Sequence, residues 1–298
     1  MDALFALGQL DKLALHAIQA NSSAGLTALM LAATFFGNPV FWVGIAAALY
    51  WRGQENKGFF LMNLVLFTAA VVGVIKHVVA RPRPSQEEFT ILGSDTYVEP
   101  SFPSGHSALV AAAFSYTYRM VSRQKKALFA AVVVLVAFSR LYLGMHYPSD
   151  VIAGLAVGLV IGKANLFARN RLFHRNFRPS RLEDELALLG IIAAGIIAIM
   201  FFRSLPMSGL FIGFYAGFFL FKEMQLSQSI LLKKNLAVKY AIGFAVLLAL
   251  VLPGEGIASI GFSLGELERF AIYLFGGFWI SWLWPVLFEK AFKAKTIA

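Results

Sequence analysis

Three short segments hold the residues best suited to chemistry. The first runs Lys76-His77-Val78-Val79-Ala80-Arg81-Pro82-Arg83-Pro84, and the second is Pro103-Ser104-Gly105-His106. The third runs from Ser139-Arg140 to His146-Tyr147-Pro148-Ser149-Asp150. If the three converge, Lys76, Arg83 and Arg140 bring three positive charges to one pocket. Guanidinium forks match phosphate oxygens in geometry, and an ammonium acts as a point charge. Ser104-Gly105-His106 reads as a helix start, where backbone N–H groups point outward and attract an anion. Gly105 lets the backbone come close to a ligand. Such a pocket holds a dianion and stabilises the charge that develops during phosphoryl transfer.

Two histidines divide the remaining work. His146 lies four residues before Asp150, and Pro148 suits the first turn of a following helix. Asp150 can therefore turn back toward the imidazole. A carboxylate on one ring nitrogen fixes the tautomer and leaves the other nitrogen free to attack. His106, from another helix, can protonate the leaving alkoxide. Water would then hydrolyse phospho-His146, with His106 as base.

The elements that must position these residues are membrane helices. Hydrophobic residues make up 59% of the 298, and charged residues only 14%. A soluble globule carries about a quarter charged residues. Mean hydropathy is +0.71. With no cysteine, disulfides, iron–sulfur clusters and thiolate chemistry are excluded. Met1-Asp2-Ala3-Leu4 lacks the basic start of a cleaved signal peptide.

The fold expected is all-α, a polytopic helix bundle of about nine spans of roughly 20 residues each. The spans fall near 25–51 (interrupted at Gly37-Asn38-Pro39), 58–79, 104–122, 126–143, 148–167, 185–203, 207–221, 235–252 and 267–288. Before them, residues 1–24 form an amphipathic helix on the membrane surface. Its Leu4, Phe5, Leu10, Leu13 and Ile18 are interrupted by Asp2, Asp11, Lys12 and His16. Residues 25–168 then carry the three motifs, and 169–298 add further spans.

Net charge is +10. Most of the Lys and Arg residues sit in one alternating set of loops, among them Arg119 to Lys126 and Arg169 to Arg181. This is the pattern of cytoplasmic loops and argues against nucleic-acid binding. It puts the amino terminus outside and the carboxyl terminus in the cytoplasm. Lys76, Arg81, Arg83 and Arg140 fall on the opposite side, where topology does not call for cations.

Together the segments resemble the signature of the type 2 phosphatidic acid phosphatase superfamily: Lys-x6-Arg-Pro, Pro-Ser-Gly-His and Ser-Arg-x5-His-x3-Asp. All three match in order and spacing. The resemblance implies His146 as nucleophile, Asp150 as its orienting partner and His106 as acid and base. Lys76, Arg83, Ser104, Gly105 and Arg140 would bind phosphate, with no cofactor and no metal. Arg81-Pro82 lacks the family spacing from Lys76 and is set aside. In span number, the chain is similar to the glucose-6-phosphatase and sphingosine-phosphate phosphatase branches.

The expected activity is hydrolysis of a lipid phosphate or diphosphate. Its partners are then a phospholipid, isoprenoid or sphingoid phosphate and the bilayer. The expected place is a bacterial inner membrane, with the site on the periplasmic face. Lipid-to-lipid phosphotransfer and hydrolysis of a sugar phosphate use the same pocket. A vanadium haloperoxidase or a non-enzymatic carrier fits less well: the former relatives are soluble, and mere binding needs no paired acid and nucleophile. His77 and His174 read as solvated or structural. The spacing of Glu87, Glu88, Asp95 and Glu99 fits no calcium loop.

Overall fold

A computed structural model describes residues 2–93, 99–173, 205–223, 235–259 and 265–293. These residues are helical or irregular, with no strand among them. The helices are α1 (Asp2–Gln19), α2 (Ala24–Phe35), α3 (Pro39–Trp51), α4 (Glu55–Val79), α5 (Gly105–Thr117) and α6 (Arg123–Tyr142). They continue with α7 (Pro148–Phe173), α8 (Leu205–Glu223), α9 (Leu236–Ser259), α10 (Glu266–Phe278) and α11 (Trp284–Lys293). A π-helical turn, Trp279–Leu283, joins the last two. The expected span at 185–203 and His174 lie outside the described residues.

Among the described residues, three helices are long and apolar enough to cross a bilayer singly: Glu55–Val79, Pro148–Asn170 and Glu266–Ala291. The pair α2 and α3, broken at the expected Gly37-Asn38-Pro39, is long and apolar enough only when taken together. There the Asn38 side chain accepts a hydrogen bond from the Val40 amide at 2.8 Å. The described residues thus establish several membrane helices rather than a count of nine. The clearest departure is α5, which ends at Thr117 and has 13 residues. That length is about 20 Å, short of a hydrocarbon core of about 30 Å.

The chain forms two compact units, one of Met1–Trp42 with Asn63–Phe177 and one of Val43–Met62 with Arg178–Ala298. In the first unit α5 is central, and Ser107 to Ala113 are all buried. It packs on α7 along a ridge of glycines one turn apart. A Cβ at Gly154, Gly158 or Gly162 would come within 2.5, 2.0 and 2.3 Å of the Ser104, Ala108 and Ala112 carbonyl oxygens. Lipid supplies no hydrophobic drive between helices, so close backbone packing through small residues does that work. Ser115 Oγ adds a hydrogen bond to Leu159 O at 3.0 Å. This ridge fixes the start of α5 against the start of α7, and the backbone amide of Ser104 donates to Asp150 O at 3.0 Å.

The second unit repeats the device. A Cβ on Gly209 or Gly213 of α8 would meet Phe270 O at 2.3 Å or Leu274 O at 1.9 Å of α10. Indole N–H groups anchor its other contacts: Trp51 to Ile280 O and Trp284 to Lys239 O, both 3.0 Å. In a medium without water such donors must find acceptors inside the protein.

Candidate active site

His146 sits in the turn between α6 and α7, 2% exposed. The turn depends on Gly144, whose φ of +71° suits glycine; a Cβ there would also strike Thr90 O at 2.5 Å. Asp150 lies in the first turn of α7 and is fully buried. Its Oδ2 accepts from the Tyr147 amide at 2.8 Å and from Ser101 Oγ at 2.5 Å. Its Oδ1 accepts from Arg81 Nη1 at 2.8 Å.

The carboxylate does not touch the imidazole directly. His146 Nδ1 is 3.7 Å from Asp150 Oδ2 and 3.3 Å from Ser101 Oγ. A carboxylate only accepts, so the single Ser101 hydroxyl proton goes to Asp150. The hydroxyl oxygen is left to accept from Nδ1. The proton of a neutral ring therefore resides on Nδ1, and Nε2 keeps its lone pair.

Burial pushes the His146 pKa down to about 3, and the Arg140 and Arg83 guanidiniums lower it further against the raising influence of Asp150. Burial thus disfavours the imidazolium and leaves the neutral ring, with a lone pair available, as the favoured form near neutral pH. If His146 is the nucleophile, its protonation does not produce the acid limb of the rate. Rapid-quench trapping of labelled phosphate on the protein, corrected for the substrate's own ionisation, tests this. The expected second-order rate at pH 5 is within about twofold of that at pH 7. A histidine at the ordinary value near 6.5 would lose about 25-fold.

The three cations are held by separate partners, Arg83 by the same turn. Arg140 is 2% exposed and donates from Nη1 to Thr34 Oγ1 at 2.8 Å. Arg83 donates from Nε to Glu99 O at 2.8 Å and from Nη1 to Met145 O at 3.3 Å. Lys76 donates to Pro100 O, with Glu99 Oε2 3.6 Å away. A cleft of about 380 Å³, lined by Arg81, Arg83, Ser85, Gln86 and Glu99 among others, opens beside them.

Ser104 caps α5. Its Oγ accepts from the Ser107 amide at 3.5 Å and from Ser107 Oγ at 3.0 Å. Its own hydroxyl proton remains available. A Cβ at Gly105 would meet only Val72 Cγ1 at 3.7 Å, an ordinary contact. Protein packing alone thus does not call for glycine there, whereas close approach of a ligand would. His106 is partly exposed on the next position of α5. A Cβ on Gly37, at the break between α2 and α3, would lie 2.8 Å from its Cβ and 3.0 Å from Cδ2.

Three contributors went unrecognised in the sequence. Ser101 bridges His146 and Asp150 from an irregular segment. Arg81, set aside on spacing, joins Asp150 to Asp11. Asp11, read as a polar interruption of α1, is 3% exposed, while its neighbours Leu10 and Leu13 are 63% and 65% exposed. Elsewhere, Glu88 pairs with Lys12 at 2.7 Å and Glu99 faces Lys76, while His77 is exposed.

The buried cations, the imidazole and the carboxylate all lie in the first compact unit of a helical membrane protein. The chain belongs to the PAP2 superfamily, whose profile matches residues 57–173. A second profile, the transmembrane extension of PAP2 superfamily phosphatases, matches residues 205–296. An undecaprenyl-diphosphatase of Sulfolobus acidocaldarius is 32% identical over 148 residues, covering 47% of this chain and 69% of that protein. A lipid A 1-phosphatase of Rhizobium etli is 35% identical over 149 residues, 42% of this chain and 63% of that one. The lipid phosphate phosphatase delta of Arabidopsis thaliana is 31% identical over 137 residues, 41% of this chain and 33% of that one. Across these three the match spans between 33% and 69% of the relative's length. A crystal structure of a PAP2-type phosphatidylglycerolphosphate phosphatase from Bacillus subtilis aligns with a TM-score of 0.48 at 23% identity, over 59% of this chain and 90% of that one.

Proposed function

We propose that this protein hydrolyses a phosphate monoester or diphosphate carried by a membrane lipid, through a phosphohistidine intermediate. The observation that carries the reading is the buried His146 ring, with Nδ1 3.3 Å from Ser101 Oγ and 3.7 Å from Asp150 Oδ2. Lys76, Arg83 and Arg140, with the amides at the start of α5, hold the phosphoryl oxygens. Nε2 of His146 attacks phosphorus as the bond to the lipid oxygen breaks, and His106 gives that oxygen its proton. His106 then takes a proton from water, which attacks phospho-His146 and releases inorganic phosphate. The side-chain cations supply the charge compensation for which other phosphatases use a metal. The relatives act, by their names, on lipid A, undecaprenyl diphosphate and lipid phosphates. An amphiphilic phosphate is accordingly the substrate class.

We place the site on the extracytoplasmic face of a bacterial inner membrane, with the carboxyl terminus in the cytoplasm; the distribution of Lys and Arg supports the sidedness. The test is release of inorganic phosphate by the purified protein in detergent, with EDTA, from a panel of lipid phosphates and diphosphates. Turnover of at least one lipid, undiminished by EDTA and blocked by vanadate, is expected. Failure on every lipid, or activity only with added metal, would sink the reading. Labelled phosphate appearing on a second lipid in place of free phosphate would mark a phosphotransferase.

A further inference from the structure

The most extensive polar network beside the site is one the proposed mechanism does not use. Arg81 reaches Asp150 Oδ1 at 2.8 Å and Ser149 Oγ at 2.6 Å through Nη1. Through Nη2 it reaches Asp11 Oδ2 at 2.7 Å. Asp11 also accepts from the Ser149 amide at 2.9 Å and from Ser149 Oγ at 2.5 Å. The guanidinium lies 4.4 Å from the centroid of the Tyr147 ring. Arg81 thus spans two buried carboxylates, one on α1 and one beside the imidazole. The anchoring of α1 is extensive: Leu15 is fully buried against Phe89 and Tyr147, and Gln19 Nε2 donates to Thr90 O at 2.6 Å.

A buried carboxylate is costly unless paired. Asp150 needs a fixed cation to remain an anion with a defined Oδ2, and that oxygen orients Ser101 and, through it, His146. Arg81 supplies the cation. Asp11 turns the guanidinium edge toward Asp150 and ties down Ser149, the residue preceding Asp150. Arg81 contacts Oδ1 of Asp150, the oxygen other than the one facing the imidazole.

We propose that Asp11 and Arg81 are positioning residues for His146, acting through Asp150, so that α1 is part of the catalytic apparatus. This rests on the phosphohistidine reading above. Neither residue binds the substrate phosphate in this account, which separates Arg81 from Arg83 two positions on.

The experiment compares Arg81→Gln, Asp11→Asn and Asp150→Asn, each alone, and Arg81→Gln combined with Asp150→Asn. It measures kcat, the inhibition constant of inorganic phosphate and thermal stability in detergent. Arg81→Gln and Asp11→Asn are expected to lower kcat roughly 10- to 100-fold and to leave phosphate inhibition within about twofold. In the Asp150→Asn background, Arg81→Gln should cost less than about twofold more, because its route of action is already cut. A merely structural role would lower stability without that non-additivity. Ser149→Ala, which removes one hydroxyl, gives a milder loss of the same pattern if the stronger variants fail to fold. Wild-type kcat in Arg81→Gln and Asp11→Asn, full additivity with Asp150→Asn, or a large rise in the phosphate inhibition constant would overturn the proposal. Full activity in His146→Ala would instead remove the reading beneath it.

Discussion

His146→Ala is expected to reduce kcat/KM on a lipid phosphate by about 10⁴-fold or more, and to abolish the acid-labile, base-stable labelling of the protein by substrate phosphate. The size follows from what the ring supplies. Its Nε2 is the one imidazole nitrogen left with a lone pair by the Nδ1–Ser101–Asp150 chain. Alanine leaves the cations in place, so inorganic phosphate should still bind. Losing chemistry while keeping ground-state binding is the signature of an interaction made in the transition state. The ring is 2% exposed, so the variant also leaves a cavity. A thermal scan with and without phosphate separates a folded, inert protein from a damaged one. Residual activity near a tenth of wild type in a folded variant would mean that water, not His146, attacks phosphorus.

The legible part of this site is the part encoded by residue type at short spacing. Lys76 and Arg83 bracket one helix end, Ser104 to His106 open another, and Arg140 to Asp150 surround a turn; each set is local in the chain. The remaining members come from tertiary contacts. Ser101 meets Asp150 across 49 residues of sequence, and Arg81 meets Asp11 across 70. Nothing in a lone serine or in an Arg-Pro pair announces such a partner. Spacing set Arg81 aside as a motif member, and its contacts with Asp150 and Asp11 are made instead through tertiary structure.

Asp11 was hidden for a further reason. In water, leucines on a helix turn inward and carboxylates outward. Here Leu10 and Leu13 face out and Asp11 faces in, which is sensible where the surroundings are lipid and the protein interior holds the guanidinium. The helix positions were legible in outline because long apolar blocks have few alternatives. The lengths were less so. α5 ends at Thr117 and is buried by protein over most of its length, where an apolar stretch need not match the bilayer. The glycines at 154, 158 and 162 carry the packing that sets the site, and in the sequence they read only as generic helix contacts.

His106 provides the sharper test of the mechanism, because it is asked to act twice. His106→Ala should slow turnover of an alkyl phosphate by about 10²- to 10⁴-fold, the usual contribution of a positioned general acid. An aryl phosphate such as p-nitrophenyl phosphate has a leaving group that departs without a proton. With that substrate the first step should be nearly spared, while the second step still lacks its base. Phosphoenzyme should therefore accumulate, visible as a burst of nitrophenol close to one equivalent followed by a slow phase. Gly37 packs closely against His106, since a Cβ there would fall 2.8 Å from His106 Cβ, and His106 remains partly exposed. Equal losses for alkyl and aryl phosphates, with no burst, would show that His106 positions the phosphate and transfers no proton.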